Sequence, residues 1–388
     1  MFTYLTAGES HGPQLTGIIE GFPAGMTVDI QQINSALTKR QGGYGRGNRQ
    51  KIEHDQIQIT GGIRHQTTLG SPISLTIQNQ DFSHWQDIMD PLASGSQRSN
   101  LRQVKRPRPG HADLVGGMKY RHQDLRNVLE RSSARETAMR VAIGNLCEQL
   151  LQQLDIHLVG YVYQVGPQVV GNPEHLGVAA IQQQIQTNEL RIVDSQQEAK
   201  IKELIDQAKL TGDTLGGVLQ VIVENVPAGL GSYTSWDTKF DAQIAASVMG
   251  INAMKGVSFG DGFLNSKKLG SQAMDPIAHQ PGEWYRLSNH LGGFEGGMTN
   301  GMPLIVNAAM KPLPTLYHAL QSVNIDTKEV QKANVERSDT TAIVPAALVV
   351  QSVVTIELVK QLTTTFDGSN LGRLQEQVAA YRQELAHY

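Results

Sequence analysis

The triplet Glu130-Arg131-Ser132 recurs as Glu336-Arg337-Ser338, and each copy opens a helix-like apolar segment. The same three pieces, a Gly-Gly pair, a Gly-x-Pro turn and a strand pattern, lie upstream of both copies. They are Gly61-Gly62-Ile63, Gly70-Ser71-Pro72 and Ile73-Ser74-Leu75-Thr76-Ile77 in the first, and Gly296-Gly297-Met298, Gly301-Met302-Pro303 and Leu304-Ile305-Val306 in the second. The shared order predicts an internal pseudo-two-fold repeat, with halves at about residues 1–155 and 215–365 of a single domain that covers residues 1–388. The alternative is a chance match of three residues.

Each half would bring an arginine to the start of a helix. Backbone N–H groups and the helix dipole favour anions at that position. The repeat therefore predicts a central site for a multiply charged anion.

Composition limits the classes of protein that fit. The chain has 388 residues, 39% of them hydrophobic and 18% charged, and a net charge of −3, so a soluble globular protein is expected and no overall basic charge favours nucleic acid. The single cysteine, Cys147, lies in an apolar helical run and is expected in the core. The N-terminus lacks the basic segment of a signal peptide, and no stretch approaches the roughly 20 apolar residues of a membrane helix. We therefore expect a cytoplasmic protein.

Strand-like and helix-like segments alternate irregularly. Runs rich in Val and Ile predict strands near residues 56–59, 71–78, 156–165, 217–225 and 303–310. Helices are predicted after Asp29, after a capping box at Ser133-Ala134-Arg135-Glu136, after Asp237 and after Asp339. The strands do not follow simple βαβ alternation, so the pattern favours an α+β fold, a layered β-α-β sandwich of antiparallel sheets and helices.

Two segments have the composition of mobile loops, at about residues 41–50 and 86–110. Both combine Gly or Pro with arginine and contain almost no acidic residues. Loops that close over ligands have this composition. A solvated surface loop is the alternative for each of them.

Gly8-Glu9-Ser10-His11-Gly12 formally matches the Gly-x-Ser-x-Gly nucleophile elbow of hydrolases. An elbow requires a helix directly after the serine, but a strand pattern follows Gly12-Pro13. In an extended chain Ser10 and His11 would also point to opposite faces. The sequence therefore favours His11 as a ligand-facing acid.

A second histidine, His111, leaves the Pro-Gly turn of Arg108-Pro109-Gly110-His111-Ala112-Asp113, at the edge of a basic loop where an anion would collect. Arginine and lysine are frequent in Gly-rich turns and at predicted helix starts: Lys39, Arg40, Arg46, Arg49, Arg108, Arg131, Arg135 and Arg337. The guanidinium fork suits carboxylate and phosphate and keeps its charge. This distribution predicts binding of a polyanionic small molecule. RNA is the competing ligand, but Tyr44 is the only aromatic residue near these arginines.

Glycine-rich turns at residues 212–217 and 289–301 would let the backbone approach a flat ligand closely. No Walker A or Rossmann glycine motif is present. The scattered histidines give no metal-binding pattern, so no metal is expected.

Together these segments resemble the chorismate synthase family. The resemblance rests on residues 8–12, 42–49, 108–113, 130–138, 212–217, 289–301 and 337–345, which occur in the family's order over nearly the whole chain. It implies a single α+β domain, a homotetramer, and a requirement for reduced FMN. The implied reaction is the 1,4-elimination of phosphate from 5-enolpyruvylshikimate 3-phosphate to give chorismate, with no net redox change, in aromatic amino acid biosynthesis.

The resemblance also implies residue roles. His11 would donate a proton to the departing phosphate, His111 would stabilise the charge of the reduced flavin, and Asp339 would control the proton on flavin N5. Substrate anions would be bound by Ser10, Arg40, Arg46, Arg49, Arg108, Arg135 and Arg337. FMN would be bound by Arg131, Ser132, Ser133, Asn252, Ala253, Gly297, Lys311, Pro312, Leu313, Pro314, Thr315 and Arg337.

Two other functions remain open at the level of sequence. One is an NADPH-dependent flavin reductase, since some family members have that second activity and NADPH could reduce the flavin here. The other is a polyanion- or RNA-binding protein that uses the same arginines.

Overall fold

Two antiparallel sheets enclose a pair of long apolar helices in the computed structural model, which describes residues 2–47, 54–92, 102–172, 176–336 and 338–388. Arg49, Arg337 and the middle of the second predicted loop, residues 93–101, lie outside the described residues.

The first sheet has four strands in the order β1-β2-β6-β3. Its strands are β1 (Thr3–Ala7), β2 (Gln14–Glu20), β3 (Ile57–Gly61) and β6 (Ile73–Gln78), and a hairpin of β4 (Ile63–Arg64) and β5 (Thr67–Thr68) lies beside it. The helices of this half are α1 (Ile30–Gln41), α2 (Gln86–Met89), α3 (Asp113–Tyr120), α4 (Arg126–Ser132) and α5 (Thr137–Gln152).

The second sheet has the order β10-β15-β9-β7-β8. Its strands are β7 (His157–Val165), β8 (Gln168–Val169), β9 (Gly217–Glu224), β10 (Met254–Phe259) and β15 (Leu304–Met310). The hairpins are β11 (Ile277–Gln280) with β12 (Glu283–Arg286), β13 (Phe294–Glu295) with β14 (Met298–Thr299), and β16 (Gln321–Val323) with β17 (Val330–Lys332). The remaining helices are α6 (Val178–Ile185), α7 (Glu198–Leu210), α8 (Phe240–Met249), α9 (Gly270–Ala273), α10 (Ile343–Thr365) and α11 (Leu371–His387).

Helices α5 and α10 form the middle layer. Residues on all sides of α10 are apolar and buried, which is the pattern of a helix enclosed by other elements. It packs on β7 and β9 and, on its other side, on α5, which in turn contacts the first sheet and α1. At the helix crossing Gly144 faces Ser352 so closely that a Cβ on the glycine would lie 2.3 Å from the serine Cβ. The glycine therefore allows the close approach of α5 and α10.

The mixed α+β class with antiparallel sheets agrees with the prediction, and the predicted strands end within two residues of the observed ones. The Asp29 cap is also confirmed, since its carboxylate accepts from the backbone N–H of Gln31 and Gln32. Around Ser133 the prediction was wrong in part. Ser133 accepts from Arg135 N and begins a 3-10 turn, but the Glu136 carboxylate accepts from Arg140 and does not close a capping box.

Two other expectations require correction. Glu130 and Ser132 lie at the end of α4 and not at the start of a helix, and α5 begins only at Thr137. The sequence also predicted no membrane-length segment, yet among the described residues α10 is long and apolar enough to cross a membrane. Its apolar window is 94% buried within the protein, which is the state of a core helix.

Candidate active site

A cavity of about 470 Å³ opens between the loop at residues 8–12, the start of α5, and the segment that leads into α10. Most of the residues proposed for the site from sequence line it: Ser10, His11, Arg40, Arg46, Arg108, His111, Ser132, Ser133, Arg135, Asn252, Ala253, Lys311, Leu313, Pro314, Thr315 and Asp339. Six lining residues are arginine or lysine and two are acidic, so the cavity is positively charged within a protein of net charge −3.

The loop at residues 8–12 is a turn and not the extended segment expected from sequence, so Ser10 and His11 both reach the cavity. Gly8 has φ +111°, and a Cβ there would lie 2.4 Å from the carbonyl oxygen of Gln14, so glycine is required to begin the turn. Ser10 N donates to the carbonyl of Glu130 at 3.0 Å, which fixes the turn against the end of α4.

The imidazole of His11 is held on two sides. Its Nδ1 lies 2.9 Å from Oε1 of Glu130, and its ring stacks on Trp85 with centroids 3.9 Å apart. Burial acts to raise the pKa of Glu130, but hydrogen bonds from His11 and the charge of Arg126 outweigh it and the pKa is lowered. Glu130 is therefore ionised at neutral pH and oriented toward the imidazole.

Two arginines enter the cavity beside the start of α5. Arg135 donates from Nε to Oδ1 of Asn79 at 2.9 Å and from Nη1 to Oδ2 of Asp55 at 2.7 Å. Arg40 donates from Nη2 to the Ala134 carbonyl and to Oγ1 of Thr137, both at 2.8 Å. Burial lowers the pKa of Arg40 to about 10, so it keeps its charge at neutral pH although it has been taken out of water.

Asp339 does not cap α10, whose N-cap is Ala342. Its Oδ2 pairs with Nη1 of Arg46 at 2.7 Å, and its Oδ1 accepts from Gly47 N at 2.6 Å. Burial lowers the pKa of Arg46, and the charge of Asp339 opposes that shift. In the described part of the chain Arg46 Nε is buried without a hydrogen-bond partner, which leaves a donor for an anion.

His111 is partly buried and forms a cluster with the buried residues Arg108 and Asp113. Its Nδ1 lies 2.6 Å from Oδ1 of Asp113. Arg108 donates to both oxygens of that carboxylate, at 2.8 and 3.1 Å, and to Oγ1 of Thr315 at 2.7 Å. Burial acts to raise the pKa of Asp113, but the hydrogen bonds from His111 and Arg108 hold it well below its usual range. Arg108 thus uses most of its donors inside the protein, and its sequence-based role as a substrate ligand stays a prediction.

A mostly apolar wall faces these charges. It is formed by Leu129, Ile251, Met310, Leu313, Pro314, Ala342, Pro345, Ala346 and Val349. At its edge Asn252 donates to the Ser132 carbonyl at 2.9 Å, while its buried Oδ1 has no hydrogen-bond partner among the described residues. Ala253 has φ +68°, a conformation that costs a non-glycine residue about 1 kcal/mol or more. Lys255 and Lys311 lie nearby, and burial together with the charge of Lys255 lowers the pKa of Lys311.

Three residues proposed from sequence do not line the cavity. Arg131 is exposed and donates to the carbonyls of Thr6 and Gly8 at the end of β1. Gly297 lies at the β13–β14 hairpin, where its carbonyl accepts from Phe240 N at 2.8 Å. Pro312 lies just outside the lining. The roles given to Arg49 and Arg337 concern residues outside the described ones.

Sequence reasoning missed several residues that hold or line the cavity, namely Asp55, Asn79, Trp85, Glu130, Lys255 and Glu336. Glu130 and Glu336 were visible as members of the repeated triplet, but the arginines were taken as its functional part. Asp55, Asn79 and Trp85 carried no local signal. Among the described residues no group of His, Cys, Asp and Glu is arranged to hold a metal ion.

The fold and cavity define an enzyme that acts on a small molecule, in a site lined by cationic side chains, apolar residues and the buried imidazole of His11. The sequence profile described as chorismate synthase matches residues 2–363. Chorismate synthase of Lactiplantibacillus plantarum is 66% identical, with all of both chains covered, and that of Enterococcus faecalis is 54% identical, with 98% of both covered. A crystal structure of chorismate synthase superimposes with a TM-score of 0.80 at 35% identity, over 100% of this chain and 99% of the other.

The chain therefore belongs to the chorismate synthase family. Its activity is that of a carbon–oxygen lyase of the shikimate pathway. Neither alternative left open by the sequence, a flavin reductase as the main function or a polyanion- or RNA-binding protein, is supported by these comparisons.

Proposed function

We propose that the cavity binds 5-enolpyruvylshikimate 3-phosphate against reduced FMN and eliminates phosphate from it to give chorismate. In this 1,4-elimination the C3–O bond breaks and phosphate leaves with its electron pair. The C6–H bond also breaks and a second ring double bond forms. The C6 hydrogen is lost overall as a proton, which balances the proton that the phosphate takes up. The observation that carries the proposal is the concentration of six cationic side chains and two histidines in one cavity with an apolar wall. The substrate has two carboxylates and a phosphate, which need such cations.

The residues present fit FMN. The apolar wall suits the face of an isoalloxazine ring, and the unpartnered Oδ1 of Asn252 is an acceptor for a ring N–H. Lys255 and Lys311 are cations for a phosphate at one end. The other residues expected to hold the cofactor are Ser132, Ser133, Ala253, Leu313, Pro314 and Thr315. When bound, reduced FMN supplies electron density as the phosphate departs.

Three arginines are suited to bind the substrate. Arg40, Arg46 and Arg135 each have a fixed guanidinium at the cavity surface, because protein groups already orient part of each fork. Pre-ordered arginines lose less side-chain entropy when an anion binds. Ser10 lies beside them as a neutral donor.

The two histidines and Asp339 are assigned to proton handling. His11 donates a proton to the phosphate as it leaves, a task suited to an imidazole near neutral pH. Its Nδ1 is bonded to Glu130, which leaves Nε2 for the substrate. His111, held by Asp113, would stabilise the charge of the reduced flavin. Asp339, paired with Arg46, would control the proton on flavin N5.

We infer that the two halves of the chain are structural repeats. The first sheet has the strand order β1-β2-β6-β3, and the second contains the strand order β7-β9-β15-β10. In each set of four, the strands that come first, second, fourth and third along the chain lie side by side in that order. Thr68 Oγ1 donates to the Pro23 carbonyl and accepts from Met26 N, and Thr299 Oγ1 does the same with Pro227 and Leu230. By this correspondence the residue equivalent to Gly62 is Gly293 and not Gly297. The carbonyl oxygens of Gly62 and Gly293 each accept from the backbone N–H seven residues later.

The remaining assignments rest on the family. They are a homotetramer, a cytoplasmic location, and NADPH as a reductant that some members use for their own flavin. They add no residue to the site described above.

The test is turnover under anaerobic conditions. The protein with FMN reduced chemically and the phosphorylated enol ether should release phosphate and chorismate in equal amounts, whereas oxidised FMN should give none. A second reaction with oxidised FMN and NADPH decides whether the chain reduces its own flavin. Chorismate formed without any flavin would refute the cofactor assignment.

A further inference from the structure

The carboxylate of Glu130 is hydrogen-bonded to both the imidazole ring and the backbone N–H of His11. Holding the turn alone would not require the contact with the ring. Its side chain is 1% exposed. Oε1 lies 2.9 Å and Oε2 3.0 Å from Nδ1 of His11, and Oε2 also accepts from the backbone N–H of His11 at 2.8 Å. The carboxylate therefore grips the ring and the backbone of the same residue.

The consequence is a fixed proton position on the imidazole. A carboxylate cannot donate, so Nδ1 must carry the hydrogen in the bond to Glu130. The ring proton that can be exchanged then sits on Nε2, the nitrogen that is not bonded to Glu130.

We propose that Glu130 is a positioning residue for the elimination: it fixes the tautomer and the orientation of the His11 ring, so that Nε2 is the nitrogen that transfers the proton. The inference rests on the role of His11 given above. It concerns a residue that touches neither substrate nor cofactor and acts through the histidine.

The neighbouring groups support this role. Trp85 stacks on His11 with an interplanar angle of 25° and prevents the ring from turning away from Glu130. Arg126 donates from Nη1 to Oε1 of Glu130 at 3.1 Å and from Nη2 to Oε1 of Glu336 at 2.9 Å, so it keeps Glu130 ionised while its charge is shared. Because Arg126 divides its charge between the two glutamates, the Glu130 carboxylate can still accept from Nδ1–H of His11.

Other charged groups near His11 are accounted for as follows. Arg102 lies 3.9 Å from the centroid of Trp85, and the carboxylate of Asp81 accepts from the indole N–H at 3.2 Å. His84 pairs with Asp81 at 3.2 Å. Arg135 lines the same cavity. Glu130 is the carboxylate among these groups that is hydrogen-bonded to the imidazole.

A purely structural anchor would behave differently. The turn is also held by Ser10 N on the Glu130 carbonyl and by Asn79 Nδ2, which donates to the carbonyls of Glu9 and Gly12 at 3.2 and 2.8 Å. None of these bonds uses the Glu130 carboxylate. A Glu130→Gln variant should therefore keep the turn and lose the charge behind the ring.

The experiment compares Glu130→Gln, Glu130→Asp and wild type as holoenzymes with reduced FMN. For Glu130→Gln, kcat should fall roughly 10²-fold, the scale of general acid catalysis. KM and the Kd for FMN should stay within about threefold of wild type, since no ligand contact is lost. Glu130→Asp keeps the charge at shorter reach and should recover part of kcat.

The matched control is Glu357→Gln. Glu357 is a buried glutamate on α10 that accepts from Ser247 Oγ at 2.7 Å and does not line the cavity. Glu357→Gln should leave kcat unchanged.

Three outcomes would overturn the proposal. They are a wild-type kcat in Glu130→Gln; a parallel loss of kcat, substrate affinity and FMN affinity in that variant; or, if Glu130→Gln does not fold, a Glu130→Asp enzyme that loses kcat, substrate affinity and FMN affinity together. Normal turnover in His11→Ala would instead refute the role of His11. The two failures are therefore distinguishable.

Discussion

The carboxylate of Asp339 lies 2.7 Å from the guanidinium of Arg46. This ion pair joins the segment before α10 to the loop after α1 that contains Arg46. The two residues are 293 positions apart in the sequence, and the same carboxylate accepts from Gly47 N at 2.6 Å. One side chain thus holds both a cation of the cavity and the backbone next to it.

Replacing Asp339 with Asn should weaken ligand binding and turnover together. The amide keeps one acceptor but loses the charge that orients Arg46, so a buried arginine is left without its counter-ion. We expect kcat/KM to fall by at least about 10²-fold, a loss of roughly 3 kcal/mol of transition-state stabilisation. Steady-state kinetics with chemically reduced FMN measures it.

Asp206→Asn is the control for that variant. Asp206 accepts from the hydroxyl of Tyr44 at 2.8 Å, so it holds the same loop from outside the cavity. It should change kcat/KM less than about threefold. Equal losses in the two variants would mean that Asp339 acts only by anchoring the loop.

Arg135→Ala should raise the substrate Kd steeply. Asn79 and Asp55 fix this guanidinium, and removing it leaves the buried Asp55 carboxylate without its cation. Loss of a charge-assisted contact to a substrate anion should raise the Kd by roughly 10- to 10²-fold, on the scale of about 1.5–3 kcal/mol. Binding of the phosphorylated enol ether to the protein, followed by calorimetry, gives the value.

An exposed arginine provides the comparison. Arg373 pairs with Asp367 at 3.3 Å on the surface, and Arg373→Ala should leave the Kd unchanged because such pairs contribute little. An Arg135→Ala protein with wild-type Kd would remove this arginine from the substrate site.

Local sequence signals were sufficient to predict the central strands and several of the helices, including the two long ones of the middle layer. Asp29 begins α1, and Val- and Ile-rich runs form the central strands. Many of the predicted site residues line one cavity. They could be predicted because glycine-rich turns and arginines are recognisable in the sequence. These features depend on neighbours within a few positions.

The rest depends on contacts between distant residues. Asp55 and Asn79 orient Arg135 from 80 and 56 positions away, and neither has a neighbour that marks it. In the repeated triplet the sequence favoured Arg131, but successive helical residues are rotated by about 100°. That rotation turns Arg131 toward β1 and leaves Glu130 facing His11.

The stability contributed by Asp113 should depend on pH. Its pKa is lowered in the folded protein, so its contribution is fully present above the unfolded pKa of about 3.9 and is lost as the pH falls through the lower folded value. Asp113→Asn breaks the pair with Arg108 and should cost about 3–5 kcal/mol at pH 7. The difference in unfolding free energy between wild type and variant should shrink below about pH 4.

Urea unfolding at pH 7 and near pH 3 measures that difference. Asp367→Asn, at an exposed pair with Arg373, is the control and should show a small difference at both pH values. A constant difference for Asp113→Asn across this range would mean that Asp113 is not held ionised by its partners.

Gly144→Ala should destabilise the protein at the crossing of α5 and α10. The added Cβ would lie 2.3 Å from Cβ and 2.6 Å from Cα of Ser352, so the helices must separate. Overpacking of this kind costs about 1–3 kcal/mol, more than the alanine gains in helix propensity. Adding Ser352→Gly removes the first contact but not the second, and should restore part of the loss.

Gly270→Ala, with no heavy atom within 4 Å of its Cβ, is the control and should change stability by less than about 0.5 kcal/mol. Thermal unfolding of wild type and these three variants tests the crossing, and equal melting temperatures for Gly144→Ala and Gly270→Ala would show that the helices adjust without cost.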